Sequence, residues 1–216
     1  MGLICRLGLS FRSDWDSVVE ASGVLYQLVR AFRCLPGVGP KSAQRMTFQL
    51  LQRDREGARR LAETLLRALD TVGYCQECRT LTETEVCAVC ASPKRDRSLL
   101  CVVESPAEMD AIARVTGFQG VFFVLNGRLS PLDGVGPLEL RLDLLEARFK
   151  DGEVKEVILA TNTTVEGEAT AHFIHAMASD FSIPASRLAY GMPLGGELEY
   201  VDGATLSHAF NGRRAL

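Results

Sequence analysis

Four cysteines govern the middle of this 216-residue chain: Cys75 and Cys78, then eight residues, then Cys87 and Cys90. A C-x2-C turn brings two thiolates onto one ion, and two such turns facing each other complete a tetrahedral site. With every position filled by protein, no place is left for a reactive water. The spacing therefore predicts one structural Zn2+ per chain and not a catalytic metal. A thioredoxin-like redox pair would explain one C-x2-C but not two so close together. Two disulfides would need an oxidising compartment, and the remaining cysteines, Cys5, Cys34 and Cys101, have no paired spacing, which fits a reducing cytosol. Between the ligands the large apolar side chains are Leu81, Val86 and Val89, too few for a core. The ion must supply much of the folding energy of this segment.

The chain changes character on either side of the cysteines. Its formal charge of -3 conceals a basic N-terminal third. From Arg30 to Arg67 it carries Arg30, Arg33, Lys41, Arg45, Arg53, Arg55, Arg59, Arg60 and Arg67 against Asp54, Glu56 and Glu63. Such a footprint points to a polyanionic partner. No apolar run approaches the roughly 20 residues that cross a bilayer. In the first residues Arg6 interrupts the apolar stretch and no A-x-A site follows, so a signal peptide is not expected. Residues 1–17 are expected to form an extension without fixed structure.

Leu25, Leu28, Val29 and Phe32 recur at helical spacing, which predicts a first helix from Val18 to Cys34. Val24 and Ala31 lie off that stripe, and surplus apolar surface on a small helical unit predicts a symmetric oligomer. The segment Leu35-Pro36-Gly37-Val38-Gly39-Pro40-Lys41-Ser42 then gives a tight turn, with Pro40 suited to the first position of a second helix. The amides around Gly37 and Gly39 at that helix N-terminus suit an anion, and Lys41 and Arg45 lie one turn apart on one face. This pattern resembles a helix-hairpin-helix, which grips DNA phosphates without reading bases. A P-loop is excluded because Leu35 and Pro40 stand where it needs glycine. A third helix is predicted from Glu56 to about Val72, burying Ala58, Leu61, Ala62, Leu65, Leu66 and Leu69.

Past Asp96 the period changes. Apolar runs at Leu99–Val103, Val121–Leu125 and Val154–Ala160, and a short one at Arg187–Tyr190, read as strands. Between them lie helices at Ala107–Val115, at Leu138–Phe149, and one carrying Ala169, Phe173, Ala176 and Met177. This alternation predicts an α/β unit on a parallel sheet. Its functional edge should be the carboxyl ends of the strands, at Glu104, Asn126 and Asn162 to Glu168. Cys101 reads as a buried small hydrophobe. His172 and His175 have no ligand partner at metal spacing and read as solvent-facing. A Gly-rich acidic stretch and a short helix from Ala204 to Phe210 end the chain.

Taken in order, these motifs resemble those of the RecR family of bacterial recombination mediators. They are the Leu35–Gly39 turn with Lys41 to Arg45, the four cysteines, Val102-Val103-Glu104-Ser105-Pro106, Leu129-Ser130-Pro131-Leu132-Asp133-Gly134, Ala160-Thr161-Asn162, Val165 to Thr170, and Pro193 to Asp202. The resemblance covers the chain from about Leu25 onward. It implies a multi-part α/β architecture: a helix-hairpin-helix region over 18–73, a four-cysteine zinc finger over 74–95, a Toprim domain over 98–193, and a C-terminal Walker-B-like segment and helix over 194–216. It implies DNA contact through Gly37, Gly39, Lys41 and Arg45, and a ring-shaped homotetramer that clamps DNA. It further implies the partners RecO and RecF, the loading of RecA onto single-stranded DNA coated by its binding protein, and a cytoplasmic, nucleoid-associated location.

Toprim enzymes hold Mg2+ with a glutamate after the first strand and an Asp-x-Asp followed by a glutamate after a later one. Here Glu104 and Glu166 remain, but Asn162 and Thr164 stand at the aspartate positions. Two-metal phosphoryl transfer needs negative charge to hold both ions. The departure therefore favours a non-enzyme over its alternative, a Mg2+-dependent nuclease or topoisomerase-like Toprim enzyme. An ATPase using the Walker-B-like tail is weaker still without a P-loop. The edge formed by Glu104, Asn162, Glu166 and Glu168 is expected to dock a basic partner, which the resemblance suggests is RecO.

Overall fold

The structure, a computed structural model, describes residues 23–189, 191–192, 195 and 197–213. The expected extension over 1–17 and the start of the expected first helix lie outside them. The chain divides into two units, one ending at Thr71 and the other beginning at Val72.

The first unit holds three helices, α1 (Val24–Phe32), α2 (Pro40–Gln52) and α3 (Arg55–Thr71). Gly37, with φ of +77°, turns the chain between α1 and α2, and Pro40 occupies the first turn of α2. Ala43 and Thr47 are the fully buried residues of α2, and the Thr47 hydroxyl donates to the Ala43 carbonyl at 2.9 Å. The expected burial of α3 fails: Leu61, Leu65, Leu66 and Leu69 are 51%, 58%, 65% and 73% exposed, Ala62 is exposed, and Ala58 is half-buried. The physical reason is size, because the described residues of this unit, three helices and their turns, are too few to cover the outer stripe of α3.

The second unit opens with a small antiparallel pair, β1 (Gly73–Tyr74) and β2 (Leu81–Thr82), which carries the cysteine knuckle. Four parallel strands follow: β3 (Asp96–Val103), β4 (Gly120–Val124), β5 (Glu156–Leu159) and β6 (Ala185–Arg187), in spatial order β4-β3-β5-β6. The intervening helices are α4 (Pro106–Val115), α5 (Leu142–Lys150) and α6 (Val165–Asp180). The sheet buries both faces, as parallel sheets do. Alternate residues divide between two cores. Leu100, Val102, Val121, Phe123, Val157 and Leu159 pack with Leu145, Phe149 and Ile174 of α5 and α6. Cys101, Val103, Phe122 and Val124 pack with Met109 of α4 and with the four cysteines of the knuckle.

Two boundaries and one buried face differ most from expectation. α5 starts at Leu142 and not Leu138, because Arg141 takes a left-handed conformation (φ 53°) and Leu142 closes a turn onto the Pro137 carbonyl. The last strand is Ala185–Arg187, so Leu188 and Ala189 lie beyond it and Tyr190 lies outside the described residues. On α6 the buried side is Gly167, Thr170, Ala171, Ile174 and Ala178, while Phe173, Ala169 and Ala176 are exposed. A short helix, α7 (Gly203–Asn211), ends the described chain, its N-terminus capped by Asp202, which accepts from the Thr205 amide at 2.9 Å.

Candidate metal centre, nucleic-acid interface and carboxylate edge

Both C-x2-C turns are held by backbone hydrogen bonds: Arg79 N to Cys75 O at 2.9 Å, and Ala91 N to Cys87 O at 2.9 Å. Arg79 completes the first turn in a left-handed conformation (φ 65°). The four sulfurs lie within 4.8 Å of one another, all four cysteines are buried, and Cys78 Sγ is 3.5 Å from Cys87 Sγ. Zn–S bonds of about 2.3 Å in a tetrahedron require sulfurs about 3.8 Å apart, so the cluster fits one zinc ion. A hydrogen bond with Cys90 draws the Cys78 thiol down to about 6 against its burial, and Cys90 is pushed up by the same bond and by burial. The site is closed and structural, with Cys75, Cys78, Cys87 and Cys90 as its ligands.

The knuckle is tied to the sheet by bonds that its spacing does not announce. Arg79 donates to the Leu125 and Leu140 carbonyls at 3.3 and 2.5 Å, and its guanidinium lies 5.6 Å from the Phe123 ring centroid. The Asn126 amide returns to the Arg79 carbonyl at 3.1 Å, so this residue of the expected functional edge serves as a structural tie. Arg148 of α5 donates to the Phe122 carbonyl at 3.1 Å, and burial pulls its guanidinium below the usual range. Arginines clamping carbonyls carry no sequence signature.

In the helical unit, Gly39 is the N-cap of α2 and no side chain caps it. The orphan amides of the first turn are thus available to an outside acceptor. Lys41 and Arg45 are exposed on the same helix, four residues apart, and Gly37 and Gly39 are exposed in the hairpin before it. A Cβ at either glycine would meet nothing within 4 Å, so the hairpin surface is open.

The carboxyl ends of β3 and β5 meet where the strand order reverses, the usual ligand crevice of an open α/β sheet. Glu104, at the end of β3, is 6% exposed. Asn162, after β5, donates its backbone amide to Glu104 Oε1 at 2.8 Å. Its side-chain amide donates to Glu104 Oε2 and to Glu108 Oε1, both at 2.9 Å. Glu108 is an addition to the expected edge. Its signal is present in Ser105-Pro106-Ala107-Glu108, a capping box, and its Oε2 accepts from the Glu104 and Ser105 amides at 2.8 and 3.0 Å.

The other expected edge residues divide. Thr164 is the N-cap of α6, accepting from the Gly167 amide at 3.1 Å. Glu166 lies half-buried in the first turn of α6. Glu168 turns to Arg187 of β6, with Nη2 to Oε1 at 2.5 Å, and so ties the edge to β6. His172 and His175 are both exposed on α6. Among the described residues no helix is long and apolar enough to cross a membrane.

Four family descriptions match the chain in sequence: the RecR helix-hairpin-helix over 25–69, the RecR four-cysteine zinc finger domain over 72–92, the Toprim domain over 98–189 and the RecR C-terminal region over 191–214. The chain is 66% identical over 196 residues to a protein of Methylococcus capsulatus named recombination protein RecR, covering 91% of this chain and 99% of that one. It is 62% identical over 192 residues to the protein of that name from Xanthomonas campestris, covering 89% and 98%. Identity to the Xanthomonas axonopodis protein of that name is 60% over 192 residues, with the same coverage.

Proposed function

The chain belongs to the RecR family, recombination mediators of DNA repair, and on that premise we propose that it works without catalysis, as a DNA clamp. The observation that carries this reading is the hairpin before α2. An uncapped helix start stands beside exposed Lys41 and Arg45, an arrangement suited to phosphate oxygens and indifferent to base sequence. Gly37 and Gly39 keep the backbone open to close approach.

The residue types at the Toprim edge support the absence of chemistry. Where a phosphoryl-transfer site would place aspartates, Asn162 contributes a neutral amide and Thr164 a helix cap. That edge, at Glu104, Asn162, Glu166 and Glu168, serves as the docking face for a basic partner, RecO, with RecF as a second partner. The uncovered leucines of α3 support self-association, as a ring-shaped homotetramer. In that assembly the protein promotes loading of RecA onto single-stranded DNA coated by its binding protein, in the cytoplasm at the nucleoid.

The test is binding of a labelled oligonucleotide across a salt series, run beside a cleavage and religation assay with Mg2+. Wild type should bind with strong salt dependence and turn nothing over. Unchanged affinity in a variant carrying both K41E and R45E overturns the hairpin's role, and Mg2+-dependent turnover overturns the absence of catalysis. For the docking face, charge reversal at Glu104 and Glu166 together should abolish RecO binding; intact binding defeats that assignment.

A further inference from the structure

We infer that the Asn162 carboxamide takes the place of a divalent cation between Glu104 and Glu108, so the carboxylate edge is held in shape with no ion bound. The inference rests on hydrogen bonds within the chain and holds whether or not a partner docks there.

Two carboxylates that share one small crevice repel each other, and the burial of Glu104 adds a desolvation cost. Such pairs are held by a cation, by a shared proton, or by donors. Here the donors are complete. The amide nitrogen of Asn162 has two hydrogens, and each carboxylate takes one, at 2.9 Å in both cases. The second oxygen of Glu104 receives the Asn162 backbone amide at 2.8 Å, and the second oxygen of Glu108 receives the Glu104 and Ser105 amides. All four carboxylate oxygens therefore have an N–H donor. Arg128 adds a more distant positive charge, its Nη1 lying 4.0 Å from Glu104 Oε2.

The shape of the crevice agrees. Gly167 presses the first turn of α6 onto this clamp: a Cβ there would lie 2.1 Å from the Asn162 carbonyl oxygen and 2.8 Å from Glu104 Oε1. The backbone is thus fixed against the clamp on the α6 side. Mg2+ requires oxygen ligands at about 2.1 Å in near-octahedral array, and an amide nitrogen facing the carboxylates has no lone pair to offer it. The converse follows from the same geometry. Replacing that NH2 group by an oxygen, as in Asn162→Asp, removes two donors, brings a third negative charge onto the pair, and leaves a set of acids that a divalent cation would relieve.

The experiment is thermal unfolding of the zinc-loaded full chain in MgCl2 against NaCl of equal ionic strength. Wild type should give the same midpoint in both salts. The N162D variant should melt lower in NaCl and recover specifically in MgCl2, by a shift on the order of 5 °C. A magnesium-specific rise in wild type, or the absence of one in N162D, overturns the inference. Should N162D fail to fold, the side-chain amide resonances of Asn162 in wild type decide the matter. Resonances that ignore Mg2+ support the clamp, and resonances that shift on titration with it overturn the clamp.

Discussion

The backbone amide of Val124 in β4 donates to the carbonyl of Cys78 at 2.8 Å. A metal ligand is thereby bonded directly to a strand of the Toprim sheet, and the four cysteines share one apolar core with Cys101, Val103 and Phe122. Loss of zinc should therefore unfold more than the knuckle. Structural zinc contributes about 10 kcal/mol in small fingers, comparable with the roughly 5–15 kcal/mol that holds a whole domain. Replacing Cys87 by serine should yield insoluble protein or one that melts far below wild type. Elemental analysis should give about one zinc per chain. Zinc-free protein with an unchanged melting profile would refute this.

Arg79 makes a second tie. A single guanidinium nitrogen, Nη1, has two hydrogens and reaches the Leu125 and Leu140 carbonyls together. Arg79→Met should lower stability by at least about 3 kcal/mol, since charged donors to carbonyls contribute about 1.5–3 kcal/mol each and both are lost. Urea unfolding of the zinc-loaded protein measures it, and a midpoint equal to wild type would count against the tie.

At the hairpin the quantity to follow is the salt slope. Lys41→Glu and Arg45→Glu should each remove a bond to a DNA phosphate. Each should therefore flatten the plot of log K against log salt by roughly 0.7–0.9, equally for unrelated sequences. A variant that loses affinity for one sequence only would mean that the hairpin reads bases.

The parts that announce themselves in the sequence are those where one short-range rule dominates. Cys75, Cys78, Cys87 and Cys90 have ligand spacing; Gly37, Gly39 and Pro40 have turn and helix-start chemistry; and Leu99 to Val103 form an unbroken apolar strand. Elsewhere the deciding partner is remote. On α6, Ile174 faces the sheet while Phe173 is 43% exposed, yet both are apolar. The small residues Gly167, Ala171 and Ala178 select the buried side by allowing close approach, a preference that hydrophobicity does not encode. Glu108 illustrates the same limit: its capping box is local, but its bond to Asn162 spans 54 residues. Arg79 and Arg148 look like surface charge until the carbonyls they serve are in place.

The leucines of α3 lead to the last prediction. Leu61, Leu65, Leu66 and Leu69 follow helical spacing, as a buried stripe does, and each is more than half exposed within its unit. Uncovering one such side chain forgoes about 1.5–3 kcal/mol of burial, so a stripe of four is a strong drive to find a cover. A second copy of the chain offers the same stripe, and a two-fold axis would pair like with like. The flanking Arg59, Arg60 and Arg67 would then ring an apolar centre, matching the apolar middle and polar rim of protein interfaces. Introducing charge at its middle, as Leu65→Glu with Leu69→Glu, should leave the zinc-bearing unit folded, because none of its core residues lies on α3. The variant should sediment or scatter light as a smaller species than wild type at the same micromolar concentration. If both proteins have the same mass in solution, α3 does not form the interface between copies. If wild type itself is a monomer, the symmetric assembly fails altogether.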